Sequence, residues 1–145
     1  MPAFSGQFDW DIGLVWQVGF IAGNVLQSNQ GVLHMSPALV DTGASKTCIS
    51  KSIAEELGLL PTGKIDMQTA GGIIAANVYE VQIAFVFANA PDSKFPASGE
   101  GQVVARTQVS EFDPGKNPYR APIGRDILRL GVLSMSFDGH YSFSY

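Results

Sequence analysis

Ala38-Leu39-Val40-Asp41-Thr42-Gly43-Ala44-Ser45-Lys46-Thr47-Cys48-Ile49-Ser50 decides how this chain is read: an apolar strand ends abruptly in an acid, a hydroxyl and a glycine, and then turns apolar again. Taking a carboxylate out of water is expensive unless donors or an opposite charge compensate, and acids held in that way concentrate at functional sites. A bare Asp-Thr-Gly reads equally well as a solvated acid opening a turn, because a tripeptide matches by chance often enough. What surrounds it carries the decision.

Working outward, residues 13–22 are rich in Val, Ile, Phe and Trp, and the polar residues 24–31 turn that strand back into a second one, starting at Val32 and resuming at Ala38, as a wide hairpin. Beyond the motif, Ser52 followed by Glu55 fits a capping box, residues 54–57 are good helix formers, and Gly58 closes one short helix. In residues 79–85, Tyr79, Val81, Ile83 and Phe85 alternate with Glu80, Gln82 and Ala84, the period of a strand with one buried face. Residues 89–101 and 111–122 read as exposed loops around a strand over 102–110. Asp138-Gly139 suits a tight hairpin turn between strands over 132–137 and 140–145. The elements are short and mostly β, without internal repeat or low-complexity tract.

Composition bounds the rest. The 145 residues, 15.5 kDa, make one domain spanning 1–145, and 46% hydrophobic against 15% charged residues places it among chains that fold. A net charge of -4 lacks the basic footprint of a nucleic-acid binder, so no nucleic acid is expected as partner. The single cysteine, Cys48, permits no internal disulfide, and with only His34 and His140 beside it no structural zinc site is expected. Residues 12–40 carry no charged side chain, yet Gln17, Asn24, Gln27, Ser28, Asn29, Gln30 and His34 interrupt them short of the roughly 20 apolar residues that span a bilayer. With Lys46 as the first basic residue there is no signal-peptide pattern. A cytoplasmic protein without membrane contact is the expectation.

The motif resembles that of the retropepsin-like aspartic proteases, the retroviral protease family with its cellular and bacterial relatives. Their apolar pair before Asp-Thr/Ser-Gly-Ala/Ser is matched throughout residues 39–49. A second element of the family, an apolar residue followed by Gly-Arg-Asp/Asn, stands about eighty residues further on as Ile123-Gly124-Arg125-Asp126-Ile127-Leu128. Between them Met67-Gln68-Thr69-Ala70-Gly71-Gly72-Ile73-Ile74 fits the glycine-containing hairpin called the flap. Order and spacing agree over residues 13–145. The resemblance implies a single-domain acid-protease fold, closed and barrel-like, with one or two short helices, active as a two-fold homodimer.

The chemistry asks for the same assembly. Cutting a peptide bond with water requires one group to take a proton from the water and another to give one to the carbonyl oxygen. Two carboxylates held close cannot both stay ionised, so they share a proton and divide those roles. Asp126 follows Gly124-Arg125 and Asp138 sits in a turn, so neither has the setting of Asp41, and a dimer that brings Asp41 to its own copy is the direct solution. The catalytic acid is then Asp41. Thr42 braces the dyad across the dimer as in the family, Gly43 lets the backbone approach closely, and Ala44 and Ser45 complete the loop. Arg125 ties backbone carbonyls together with its five donors. Thr69, Ala70, Gly71 and Gly72 form the flap over a substrate bound as an extended peptide. No metal or cofactor enters this scheme.

Two departures qualify the resemblance. Many retroviral enzymes carry an Asp shortly after the Ala of the motif, paired with the Arg of the Gly-Arg element; here Ser45 and Lys46 stand there, leaving Ser45 as a neutral acceptor for Arg125. The flap also lacks the denser glycine pattern of the viral enzymes, so its mobility is not carried over. Separately, Ala44, which fits the signature, lacks the hydroxyl that pepsin-like enzymes place beside the acid, which predicts a less acidic pH optimum than theirs. The alternative from another class is a catalytically silent dimer that binds extended peptides or only associates. Phosphoryl transfer through an aspartyl nucleophile wants magnesium ligands that Thr42 to Ser45 do not supply, and no Gly-x-Ser-x-Gly elbow supports a serine hydrolase. Cys48 is read as a packed thiol and His34 and His140 as strand or turn residues. Trp10, Trp16, Tyr141, Phe143 and Tyr145 are read as packing, the last three at the dimer interface.

Overall fold

The computed structural model describes residues 3–23, 33–86 and 101–145. The expected turn over 24–31 and nearly all of the loop over 89–101 lie outside these described residues. The elements run β1 (Ala3–Gln7), β2 (Val15–Ala22), β3 (Leu33–Leu39), β4 (Cys48–Ser50), α1 (Lys51–Glu56), β5 (Gly63–Thr69), β6 (Gly72–Val86), β7 (Gly101–Phe112), α2 (Arg125–Leu128), β8 (Val132–Met135) and β9 (His140–Ser144). Two sheets result: a three-stranded one ordered β1-β9-β8, and a six-stranded one ordered β3-β2-β6-β7-β4 with β5 paired to β6. The larger sheet is open. Its path ends at β3 and β4, so among the described residues the closed barrel expected from the sequence is not formed, and an open sheet packs against a smaller one.

Local pattern explains the main sheet. Along β2, Trp16, Val18 and Phe20 are buried while Gln17 is exposed. Along β6, Tyr79, Val81, Ile83 and Phe85 point into the core as their alternation predicts, and a bulge between Ile83 and Ala84 shifts the pairing with β7. Pro37 does not interrupt β3, which runs unbroken opposite β2, because β3 is an edge strand and a missing N–H on the free side costs nothing there. β7 extends two residues beyond the expected 102–110 through Glu111 and Phe112, which pair in parallel with Ile49 and Ser50 of β4, while Asn77 and Tyr79 on β6 reach the Glu111 carboxylate.

Phe4, Trp16, Phe85 and Phe143 join the two sheets, each ring centroid lying 5.0 to 5.8 Å from the other three. Burial of these rings is the main apolar contact between the sheets. Trp10 departs from the expectation: it is 60% exposed, with its indole N–H donating to the Phe137 carbonyl at 3.0 Å.

The first helix is capped earlier than Ser52 suggests. Ser50 is the N-cap, accepting from the Ile53 N–H, while Ser52 accepts from Arg120 Nη1 at 3.0 Å. Gly58 does close it, with φ of +63°. His34, on β3, sits beside the Arg120–Glu56 ion pair, its Nδ1 lying 2.7 Å from Glu56 Oε2. In the last hairpin β8 stops at Met135, and Ser136 to Gly139 form the turn, with Gly139 at φ +83° and Ser136 N–H donating to His140 O at 2.8 Å.

Candidate active site

What positions Asp41 is a segment from far along the chain. Residues 120–123 run between the two arms of the Asp41 loop. On one arm Ile123 N–H donates to Leu39 O at 2.8 Å and Asp41 N–H to Ile123 O at 2.9 Å; on the other, Cys48 N–H donates to Pro122 O at 3.1 Å and Ser50 N–H to Arg120 O at 2.8 Å. Val40 N–H adds a bond to Leu14 O at 2.8 Å. Strand pairing on both sides fixes the loop between, and the acid at its start projects from a rigid base.

The Asp41 carboxylate is exposed in the single chain. Its Oδ1 accepts from the Gly43 N–H at 2.9 Å and the Ala44 N–H at 3.2 Å, so backbone donors orient the side chain in the absence of a hydroxyl at position 44. Gly43 is needed for closeness: a Cβ there would stand 3.2 Å from that same oxygen. Thr42 is exposed, and its hydroxyl makes no hydrogen bond among the described residues, while its carbonyl accepts from Arg125 Nη1 at 3.3 Å. No other carboxylate among the described residues shares a hydrogen bond or ion pair with Asp41, and no group of three or more His, Cys, Asp or Glu there can hold a metal.

Arg125 braces the loop in two ways. Its backbone N–H donates to Ala44 O at 2.9 Å, and its guanidinium reaches the carbonyls of Thr42 at 3.3 Å and Gly43 at 3.5 Å. The hydrogen bond expected from Arg125 to Ser45 is not made: Ser45 is exposed, and the carbonyls before it already occupy the guanidinium.

The stronger tie is one the sequence did not disclose. Asp126, weighed only as a second acid, turns its carboxylate onto Thr47: Oδ1 accepts from the Thr47 N–H at 3.0 Å, from the Thr47 hydroxyl at 2.8 Å and from the Ile127 N–H at 3.0 Å. The Thr47 hydroxyl in turn accepts from the Gly124 N–H at 3.0 Å. Gly124 itself leaves no room for a side chain, since a Cβ would lie 2.6 Å from the Lys46 carbonyl carbon. Thus Gly124 and Asp126 clamp residues 46–47 directly. A charged acceptor satisfying a buried hydroxyl and its amide is among the stronger hydrogen-bond arrangements. The signal lay in the Thr at position 47, but nothing local shows it facing a residue 79 positions away.

Cys48 is buried beside this clamp. Burial first, then the negative charges of Asp126 and Asp41, push its thiol up to about 11, which makes it a packing residue and a poor nucleophile.

The hairpin over 67–74 is formed by β5 and β6, with Thr69 opposite Gly72 and Ala70-Gly71 at the tip. Gly72 has φ of +113°, and the Thr69 hydroxyl donates to the Gly72 carbonyl at 2.8 Å. Ile73 and Ile74 beside the tip are exposed, so the hairpin carries an apolar, uncovered end.

A strand-borne acid thus stands in a loop braced from a distant Gly-Arg-Asp segment. Comparison with known proteins gives the family and the fold. The crystal structure of a retropepsin-like aspartic protease from Rickettsia conorii superposes with a TM-score of 0.57 at 15% identity, covering 99% of this chain and 91% of that one, which shows a shared fold. The aspartyl protease family model matches residues 28–137, and this chain belongs to that family. No curated protein matches it. No helix among the described residues is long and apolar enough to cross a membrane.

Proposed function

We propose that this chain is one half of a homodimeric aspartic endopeptidase. The observation that carries the reading is Asp41 itself: an exposed carboxylate at a strand end, oriented by two backbone N–H groups, with no second acid bonded to it among the described residues. Pairing with Asp41 of a second copy supplies the missing partner. One carboxylate, ionised, takes a proton from a water held between the two; the other, protonated, donates to the carbonyl oxygen of the scissile bond as the water attacks. Collapse of the tetrahedral intermediate releases an amine and a carboxylic acid.

Within this reading the unused Thr42 hydroxyl braces the partner loop, and Gly43, Ala44, Ser45 and Arg125 hold the dyad in place. The β5–β6 hairpin, with Thr69, Ala70, Gly71 and Gly72 at its tip, closes over an extended peptide, and of its two exposed isoleucines, which project from opposite faces of β6, one turns toward that peptide. Ala44 offers a backbone donor but no hydroxyl to the acid, which supports an optimum less acidic than that of pepsin-like enzymes. The test is incubation of the wild type and Asp41→Asn with a diverse peptide mixture from about pH 3 to pH 8, with products read by mass spectrometry. Wild-type cleavage falling by at least about 10³-fold in the variant is expected from loss of acid–base chemistry. Equal cleavage by both, or none by the wild type at any pH, overturns the reading.

A further inference from the structure

The β5–β6 hairpin leaves the main sheet at Val78. From that residue onward β6 is paired with β7, Val78 standing opposite Ser110; before it, residues 72–77 pair with β5 alone, while β7 runs on beside β4 through Phe112. The two strands therefore part as a fork. Within it lies a cavity of about 560 Å³, bounded by the hairpin arm on one side, by the end of β7 and the turn after it on the other, and by the start of α1. That volume suits a small ligand or a long side chain.

Both walls of the fork are strand edges without a paired strand among the described residues. Thr62 N–H donates to Val78 O at 2.8 Å, so Val78 faces the β5 side; by alternation Ile73, Ala75 and Asn77 turn their N–H and C=O groups into the fork. Across from them Ser110 N–H reaches Thr47 O at 3.3 Å on the β4 side, which turns the main-chain groups of Glu111 toward β6.

The free charge in the fork is negative. Glu111, half-buried, accepts from Asn77 Nδ2 at 3.4 Å and from the Tyr79 hydroxyl on one oxygen, Oε2, and its Oε1 accepts no hydrogen bond among the described residues. Asp113 Oδ1 accepts from the Gly115 N–H at 2.8 Å, and Oδ2 is free in the same sense. Lys51 also lines the cavity, but its ammonium lies 3.7 Å from Glu55 along α1. Ile74 and Phe112 add apolar surface to the lining.

We propose that this fork binds an extended polypeptide segment carrying an arginine, the segment pairing with the free β6 edge over residues 73–77 and the guanidinium meeting Glu111 and Asp113. An edge of free donors and acceptors is satisfied by an added strand. Two carboxylates, each with an unused oxygen, match a planar cation of five donors better than a compact ammonium, and the apolar lining covers its methylene stem. The site goes beyond the dyad reading and needs nothing from Asp41. Its occupant would tie to β7 the hairpin arm assigned above to close over substrate.

The test uses the full chain as Asp41→Asn, so that no peptide is consumed, isotope-labelled for NMR. It is titrated with a short capped peptide of alternating threonine and valine around one central arginine, and with the same peptide carrying glutamine instead. The arginine peptide is expected to shift the amide signals of residues 73–77 and 110–113 and to bind at least about tenfold more tightly than the glutamine peptide at low salt, a preference that shrinks in about 0.5 M salt. Glu111→Gln removes most of that preference. Ala75→Pro deletes one free donor while sparing the pairing with β5, and weakens both peptides alike. Shifts confined to residues 41–45, no binding, equal binding of the two peptides, an undiminished preference in Glu111→Gln, or a response to free arginine amide as strong as to the peptide overturns the proposal. None of these outcomes touches cleavage by the wild type through Asp41, and a wild type that never cuts leaves the binding result standing.

Discussion

Asp126 and Cys48 show how one acid serves its surroundings. The Asp126 carboxylate answers three donors across the joint between the Asp41 loop and α2, two of them from Thr47. Asp126→Ala leaves the buried Thr47 amide and hydroxyl without that acceptor and is expected to cost about 2–3 kcal/mol in urea unfolding; Asp126→Asn keeps one oxygen and costs less. Equal midpoints for Asp126→Ala and wild type would show that this clamp contributes nothing to stability. Cys48 gives a pH signature. Its folded thiol ionises near about 11 against an ordinary value of 9.0, so the folded state holds its proton more tightly than the unfolded one. Stability from this group is full below about pH 9 and is lost as pH rises toward about 11, on the order of 2 kcal/mol. Tyr79, Tyr141 and Tyr145 are raised too and bend the curve the same way, so the comparison is with Cys48→Ala, whose alkaline slope is expected to be shallower. At this scale the sequence offered Asp41, Thr42 and Gly43 as candidates from one contiguous motif and Arg125 from a second. It hid the Thr47–Asp126 bond, because hydrogen bonds between distant residues have no period to read.

Elements were legible where pattern is local. Alternation located β6, the Asp138-Gly139 turn located the last hairpin, and Gly58 located the end of α1. Ser52 misplaced the cap because Ser50 offers the same hydroxyl two residues earlier, and tertiary contact with Arg120 decided which serine faces the helix. Sheet closure was not legible at all, since it depends on which edges meet. The flap-like hairpin provides the test at this scale. Gly72 holds φ of +113°, and a Cβ added there would meet nothing within 4 Å, so Gly72→Ala is strained by backbone conformation alone. It is expected to lose about 1–2 kcal/mol in a denaturant titration, whereas Gly71→Ala, whose φ is not positive and whose nearest neighbour is Thr69 Oγ1 at 3.8 Å, stays within about 0.5 kcal/mol. Similar losses from the two would show that the tip does not hold this turn.

For the whole molecule the decisive property is that, in the dyad reading, a complete site takes two chains. Activity per chain is then expected to fall steeply on dilution, and the thermal midpoint to rise with protein concentration, because association stabilises the folded state by mass action. Calorimetry and initial rates over a range of about a hundredfold in concentration read both; a midpoint and a specific activity independent of concentration would point to a self-sufficient monomer.

The threading of residues 120–123 between the arms of the Asp41 loop also orders events in time. The acid-bearing loop makes its fixing bonds to partners as far as 83 positions later, so it cannot take shape on a ribosome until the segment beyond residue 119 has emerged. A growing polypeptide therefore carries its aspartate in an unformed state, and the machinery for cutting arises only once synthesis of that segment is finished.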